Sequence, residues 1–238
     1  MDFFEHALNA QWTIGDQNMY WREIVGNLFG LASALGGMRR KVWGWPVGIV
    51  GNVLLFSVFL GSWFGMGGEH PDMLGQAGRQ IMFVGVSVYG WQRWQATRRA
   101  QAANTAANTA ADVAVHPRWA SWPTRGVLVA VMVAGTLVLS PIFRALGSYE
   151  PVWTDAWIFT GSVLATYGMA KGWVEFWLVW IAVDAVGVPT LFRAGYYATG
   201  LMYAFYGAFT IAGFVVWWRV HRREAAAGTV DVPAAVIR

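Results

Sequence analysis

The chain has 238 residues, 56% of them hydrophobic and 13% charged, and its mean hydropathy is positive. A soluble domain carries about 25% charged residues, so a water-exposed globule is excluded and a polytopic helical membrane protein fits. The excess of 17 Lys and Arg over 13 Asp and Glu then reads as loop charge that sets orientation rather than as a nucleic-acid footprint; with no cysteine there are no disulfides and no thiolate metal site.

The first residues carry Asp2 and Glu5 with no early Lys or Arg, which is not a signal-peptide pattern. Seven apolar stretches approach the roughly 20 residues that cross hydrocarbon, at about 21–38, 43–63, 75–94, 125–143, 155–171, 173–192 and 197–218. The first is rich in glycine (Gly26, Gly30, Gly36, Gly37), which suits close helix packing. Turns are marked by Arg39-Arg40-Lys41, by Gly67-Gly68-Glu69-His70-Pro71 and by Ser148-Tyr149-Glu150-Pro151. The longest break, 95–124, repeats Ala-Ala-Asn-Thr between Arg98, Arg99 and Arg118. It reads as a flexible cytoplasmic linker with no function of its own. Tyr89, Trp91, Trp94, Trp217 and Trp218 read as an aromatic belt at the inner interface.

With the N-terminus outside, inner loops and tail hold Arg39, Arg40, Lys41, Arg93, Arg98, Arg99, Arg118, Arg125, Lys171, Arg219, Arg222, Arg223 and Arg238, 13 of the 17 basic residues. Arg22, Arg79, Arg144 and Arg193 remain, while Glu69, Asp72, Glu150 and Asp155 fall outside. The asymmetry predicts a multi-pass protein of the cell (plasma) membrane, N-terminus out and C-terminus in.

An internal repeat is visible at an offset of 132 residues. It places Trp45-Pro-Val-Gly-Ile-Val-Gly-Asn52 on Trp177-Leu-Val-Trp-Ile-Ala-Val-Asp184, Gly36 on Gly168 and Arg39 on Lys171. The expected fold is therefore all-α, with seven transmembrane helices as two parallel three-helix repeats. The repeats cover about 21–94 and 155–218, joined by the linker 95–124 and a linker helix 125–143, with a tail 219–238, all in one membrane domain 1–238.

Residues 173–184 carry the chemistry. Trp177, Trp180 and Asp184 are spaced by three and four, so they share a helix face. A carboxylate at membrane depth is costly and marks a protein-lined site, and indoles offer flat surfaces to a planar ligand. The alternative is a Trp-rich packing face with Asp184 near an interface. Gln76, Arg79 and Gln80 share a face of the third span, and Asn52 is the repeat partner of Asp184. These amides suit the donor and acceptor edges of a heterocycle, and the carboxylate suits ribityl or ribose hydroxyls. Placement of Gln76 and Arg79 at the outer surface, and an interhelical hydrogen bond for Asn52, are the bland readings. Catalysis has little support. All four histidines (His6, His70, His116, His221) fall in loops or tails, no metalloprotease or serine-hydrolase motif occurs, and the last span lacks a Schiff-base lysine. No metal, cofactor or enzymatic activity is expected.

The Trp177-x-x-Trp180-x-x-x-Asp184 pattern resembles the signature of the PnuC-type vitamin transporters, Trp-x-x-Trp-x-x-x-(Asn/Asp). Trp45–Phe56 and Gly75–Phe83 extend the resemblance, which covers roughly 20–220. It implies facilitated diffusion of a non-phosphorylated vitamin, made unidirectional by cytoplasmic phosphorylation. Nicotinamide riboside members typically carry Asn where this chain has Asp184. Leu31–Arg40 and Trp157–Met169 are similar to the riboflavin-transporting, RibM/PnuX-like branch. The expected substrate is riboflavin or a flavin analogue, ahead of nicotinamide riboside and thiamine, with stacking on Trp177 and Trp180. Asp184 and Asn52 would bind the ribityl chain or a ring edge, and Gln76 and Gln80 would complete the rim. Expected partners are the bilayer and, functionally, a cytoplasmic riboflavin kinase; self-association into a homo-oligomer is left open. A membrane sensor or assembly protein without transport is the alternative of a different class.

Overall fold

The computed structural model describes residues 11–14, 17–60, 74–104, 114–147, 151–193 and 197–227. A short antiparallel ribbon, β1 (Gln11–Ile14) paired with β2 (Gln17–Tyr20), leads into seven helices. These are α1 (Trp21–Met38), α2 (Gly44–Phe59), α3 (Leu74–Asn104), α4 (Trp122–Ala145), α5 (Val152–Lys171), α6 (Glu175–Arg193) and α7 (Tyr197–Ala226). All seven expected spans are helices; the ribbon is an addition to the all-α expectation. In sequence order α1 packs on α2 and α2 on α3, then α5 on α6 and α6 on α7; α3 and α5 join the two groups.

Helix α4 stands apart. Ser121 caps it, its hydroxyl accepting from the Thr124 amide at 3.4 Å, with Pro123 in the first turn. It packs on α5 and leaves Val127, Val129, Val131, Val133, Leu137 and Val138 exposed. Such a face is stable only against hydrocarbon, and α4 is long and apolar enough to cross a membrane.

Two turns are built alike. After α1, Arg40 sits in the left-handed region (φ 59°), its amide donates to Gly37 O, and the Lys41 amide reaches Gly36 O at 2.9 Å. After α5, Gly172 is left-handed (φ 74°), its amide donates to Met169 O, and the Trp173 amide reaches Gly168 O at 3.0 Å. Each member of the second turn lies 132 residues after its counterpart. Helix contacts show the same spacing with large and small exchanged. Gly26 meets Leu55 as Gly187 meets Ile158, and Gly51 meets Phe29 as Gly161 meets Val183.

The 95–124 segment departs from the flexible linker expected. Residues 95–104 continue α3, because Gln, Ala and Arg are good helix formers once the chain leaves hydrocarbon. Residues 114–121 form a strap across both left-handed turns. The Ala114 amide donates to Arg40 O at 3.0 Å and the Arg118 amide to Gly172 O at 3.0 Å. The Ala120 amide meets both Glu175 carboxylate oxygens, at 3.0 and 3.1 Å, and Arg125 Nε donates to Glu175 Oε1 at 2.6 Å. Ala114, Pro117 and Ala120 are buried. Residues 105–113, and the tail from 228, lie outside the described residues. The tail reading of 219–238 is shortened from its start, since α7 runs on to Ala226.

The aromatic-belt reading fails for two residues. Trp94 and Trp217 are fully buried, with ring centroids 6.5 Å apart, and Trp217 Nε1 donates to Met38 O at 3.1 Å. Each supports a second indole edge-on: Trp94 meets Trp45 at 5.3 Å, and Trp217 meets Trp177 at 6.3 Å. Those second indoles lie on glycines, Trp45 on Gly90 of α3 and Trp177 on Gly213 of α7, where a Cβ would collide with the six-membered ring. Gly90→Ala and Gly213→Ala should each cost about 1–3 kcal/mol by overpacking, lowering the melting temperature in detergent by about 2–10 °C. Gly78→Ala, with nothing within 4 Å, should leave it unchanged. Equal melting temperatures for all three variants would remove the packing role.

Candidate functional site

One cavity of about 330 Å³ lies between the two helix groups. Helices α1, α2 and α3 wall one side, α5, α6 and α7 the other, and α4 contributes nothing. Helix α6 presents Trp177, Trp180 and Asp184 together, as a spacing of three and four requires. Asn52 enters from α2 and Gln80 from α3. The structure therefore brings five of the six expected site residues to one cavity. Gln76 lies on α3 outside the residues whose side chains are described. Arg79 also lines the cavity.

The two signature indoles have different surroundings. Trp177 is 3% exposed. Its ring packs on Gly213, with Phe176 at 4.4 Å and Phe209 at 6.3 Å. It is wedged, and only part of it borders the cavity. Trp180 is half-buried and nearly parallel to Phe83 of α3, with centroids 6.4 Å apart and 23° between planes. These two rings face each other from opposite helix groups.

The polar groups are unevenly satisfied. Asp184 is 8% exposed and accepts from Thr210 Oγ1 at 3.3 Å. Among the described residues no cation pairs with it. Ser162 and Thr166 also line the cavity, and their hydroxyls donate at 2.7 Å to carbonyls one turn back. By contrast, Trp45 Nε1, Trp177 Nε1 and Gln80 Oε1 are buried without a protein partner. A buried polar atom left so costs about 1–3 kcal/mol. These three atoms belong to residues that line the cavity but are themselves covered by protein. Among the described lining residues the formal charges are those of Arg79 and Asp184, which cancel and suit a neutral solute.

The sequence reading passed over Trp45 as a site residue although it is the repeat counterpart of Trp177. It also missed Phe83, Ser162, Thr166, Tyr203, Tyr206 and Thr210. The signal was present on α7, where Tyr203, Tyr206 and Thr210 repeat the three-and-four spacing of Trp177, Trp180 and Asp184.

The family model described as "Nicotinamide mononucleotide transporter" matches residues 20–219. The riboflavin/roseoflavin transporter RibM of Streptomyces davaonensis is 36% identical over 230 residues, covering 95% of this chain and 99% of that protein. The nicotinamide riboside transporter PnuC of Escherichia coli K12 is 24% identical over 228 residues, covering 85% of this chain and 87% of the other. The crystal structure of the vitamin B3 transporter PnuC superposes with a TM-score of 0.62 at 20% identity, covering 85% of this chain and 83% of that one. These relatives are membrane transporters and not enzymes, and the fold agrees with theirs. A cavity between two helix groups, lined by indoles, amides and a carboxylate, belongs here to a multi-pass membrane transport protein, and the chain is a member of the nicotinamide mononucleotide transporter family.

Proposed function

We propose that this protein carries riboflavin, and flavin analogues of the same shape, across the cell membrane by facilitated diffusion. The carrying observation is the near-parallel pair of Trp180 and Phe83, facing each other from the two helix groups in a cavity that Asn52, Gln80 and Asp184 also line. A flat heterocycle with a polar edge and a polyol suits that combination of ring faces and polar side chains. The cavity volume of about 330 Å³ falls within the about 300–1,000 Å³ typical of small-molecule sites. The 36% identity to the RibM protein along nearly its whole length favours riboflavin over nicotinamide riboside. In this reading the isoalloxazine lies against Trp180, opposite Phe83, with its edge toward Trp177. Asp184 and Asn52 hold the polyol, and Gln80 reads a ring edge. Trapping by a cytoplasmic riboflavin kinase gives the flux its direction, since Asp184 disfavours a phosphate dianion close by in a low dielectric.

The two helix groups are read as parallel repeats that rock about the site and open it to each side in turn. The matched left-handed turns and the exchanged large and small contacts at one offset support that reading. The N-terminus is placed outside and the C-terminus in the cytoplasm. Arg40 donates to Val115 O of the strap and to Glu224 of α7, which gathers the α1–α2 turn, the strap and the end of α7 at one end of the bundle, the end where basic loops concentrate. A reporter inserted near Asn104 and one after Arg238 should both read cytoplasm, and one near Gly68 the outside. Reporters at Asn104 and Gly68 on the same side would refute the span count.

Trp180→Ala and Phe83→Ala should each weaken riboflavin binding by about 1–3 kcal/mol, the scale of one aromatic stack on a base-like ring, while the protein still inserts. Unchanged titrations for both variants would dismiss the stacking role. Purified protein in vesicles should equilibrate riboflavin without accumulating it and take it up faster than nicotinamide riboside or thiamine. Enclosed riboflavin kinase and ATP should turn equilibration into net accumulation. Uphill uptake driven by an imposed proton gradient, lost in Asp184→Asn, would replace uniport by symport. Binding without flux would favour a sensor.

A further inference from the structure

We infer that the end of the bundle carrying Lys171 holds a second site, separate from the cavity, built by Arg93, Arg118 and Lys171 beside Tyr89 and Tyr167 to bind a phosphate group. Three elements meet there. Tyr89 of α3 and Tyr167 of α5 stack with centroids 5.9 Å apart and 14° between planes. Lys171 Nζ lies over both rings, 5.8 Å from the first centroid and 5.3 Å from the second. Arg93 follows Tyr89 by one turn on the same helix. Arg118 is pinned by its backbone, the amide donating to Gly172 O at 3.0 Å and the carbonyl accepting from the Val174 amide at 2.9 Å. None of these five residues lines the cavity.

The charge arrangement is the unusual part. The exposed arginines at this end need no partner, whereas the half-buried Arg40 and Arg125 are neutralised, by Glu224 at 2.8 Å and by Glu175. Arg93, Arg118 and Lys171 have no carboxylate partner among the described residues, and all three are half-buried. Burial, and then the neighbouring Arg93 charge, hold the Arg118 guanidinium below its ordinary pKa. A fold that pairs the half-buried Arg40 and Arg125 but leaves three other half-buried cations at the same end without a carboxylate is destabilised by their repulsion unless an anion joins them. Cations from three separate elements match the several acceptor oxygens of a phosphate better than the two of a carboxylate, and the tyrosine hydroxyls add donors. The phosphate has two sources, the headgroup of an anionic lipid or a phosphorylated small molecule in solution.

Two arms on the full chain test the site and separate the sources. In the first, protein from mixed phosphatidylcholine and phosphatidylglycerol vesicles is examined by native mass spectrometry for a retained phosphatidylglycerol. In the second, phenyl phosphate is titrated by equilibrium dialysis onto protein in pure phosphatidylcholine nanodiscs. Wild type should bind in at least one arm. A phosphatidylglycerol adduct alone assigns a lipid headgroup, and phenyl phosphate binding assigns a soluble phosphate. Arg118→Gln and Lys171→Gln should each weaken that binding about tenfold, the scale of one charge-assisted contact. Arg222→Gln, whose charge lies over Trp218 on α7, should change it less than about twofold on the same scale. Should Arg118→Gln not insert, Arg93→Gln carries the same expectation. No binding in either arm, or equal losses in the Arg222 variant, would overturn the site and leave only diffuse surface charge.

Discussion

Two indoles lying on two glycines set the spacing on which the cavity depends. Hydrophobic burial does not drive helices together inside a bilayer, because lipid tails are as apolar as leucine. Close contact must come from shape. Trp45 fits against α3 only because residue 90 lacks a Cβ, and Trp177 fits against α7 only because residue 213 does. Behind them Trp94 and Trp217 meet at 6.5 Å and close the space between the two groups. The cavity thus has a rigid aromatic base whose dimensions are set by ring thickness. Above it the walls carry smaller side chains and hydroxyls, several satisfied within their own helices. Polar groups spent on the helix backbone are not offered to a solute. Trp45 Nε1, Trp177 Nε1 and Gln80 Oε1 have no such partner.

The strap gives the opposite end its own constraint. Residues 114–121 bond to the carbonyls of both left-handed turns and to Glu175 at the start of α6. The α1–α2 turn and the α5–α6 turn are thereby tied through one extended segment, in addition to the packing of Met169 on Gly37. Arg40 is the costlier of the two turn residues, since a non-glycine residue at φ 59° is disfavoured. Its side chain is held by Glu224 at 2.8 Å, and its carbonyl accepts from Ala114. In the repeat reading this is a local difference between halves, Arg in one turn and Gly in the other, with the strap and the α7 end supplying what the missing glycine would have.

Much of this was legible from residue patterns, and the failures have physical causes. Hydropathy located the spans because hydrocarbon thickness imposes a length, but it cannot see a helix that continues into water. That is why 95–104 of α3 and 219–226 of α7 were assigned to linker and tail. The strap was misread because Ala and Thr runs look unstructured by composition, whereas 114–121 is ordered by backbone bonds to distant turns that no local pattern encodes. Indoles were ambiguous for a related reason. A tryptophan near the end of an apolar stretch suits an interface, as exposed Trp218 does under Arg222, and equally suits a core contact such as Trp217. Only the glycine opposite decides, and it lies far away in sequence. Trp177, Trp180 and Asp184 were readable because their spacing defines one helix face whatever the rest of the fold does. Trp45 was readable as the counterpart of Trp177, but its N–H became informative only once burial and the absence of a partner were known.

Where the offset of 132 pairs unlike residues, it points to the ligand. Trp45 and Trp177 correspond, and both indoles have Nε1 unsatisfied. One turn further along each helix the halves diverge: Gly48 stands opposite Trp180, and Asn52 opposite Asp184. All of these positions line the cavity. A frame of two like halves presents two like walls, whereas a vitamin with a flat ring at one end and a flexible polyol at the other has no such symmetry. Glycine at 48 lets Ser33 of α1 close on α2, its hydroxyl 2.5 Å from where a Cβ would stand, while the indole at 180 gives the other wall a platform. Replacing the amide by a carboxylate on the platform side adds an acceptor there without a second donor, and the Thr210 hydroxyl meets it. The shared indoles keep the helices at ring spacing, since either wall moving would open the base. In the proposed reading the divergent positions bind an asymmetric solute in one orientation. Such a site discriminates by which end of the molecule meets which wall, so in the proposed reading its selectivity resides in the few places where the two halves are least alike.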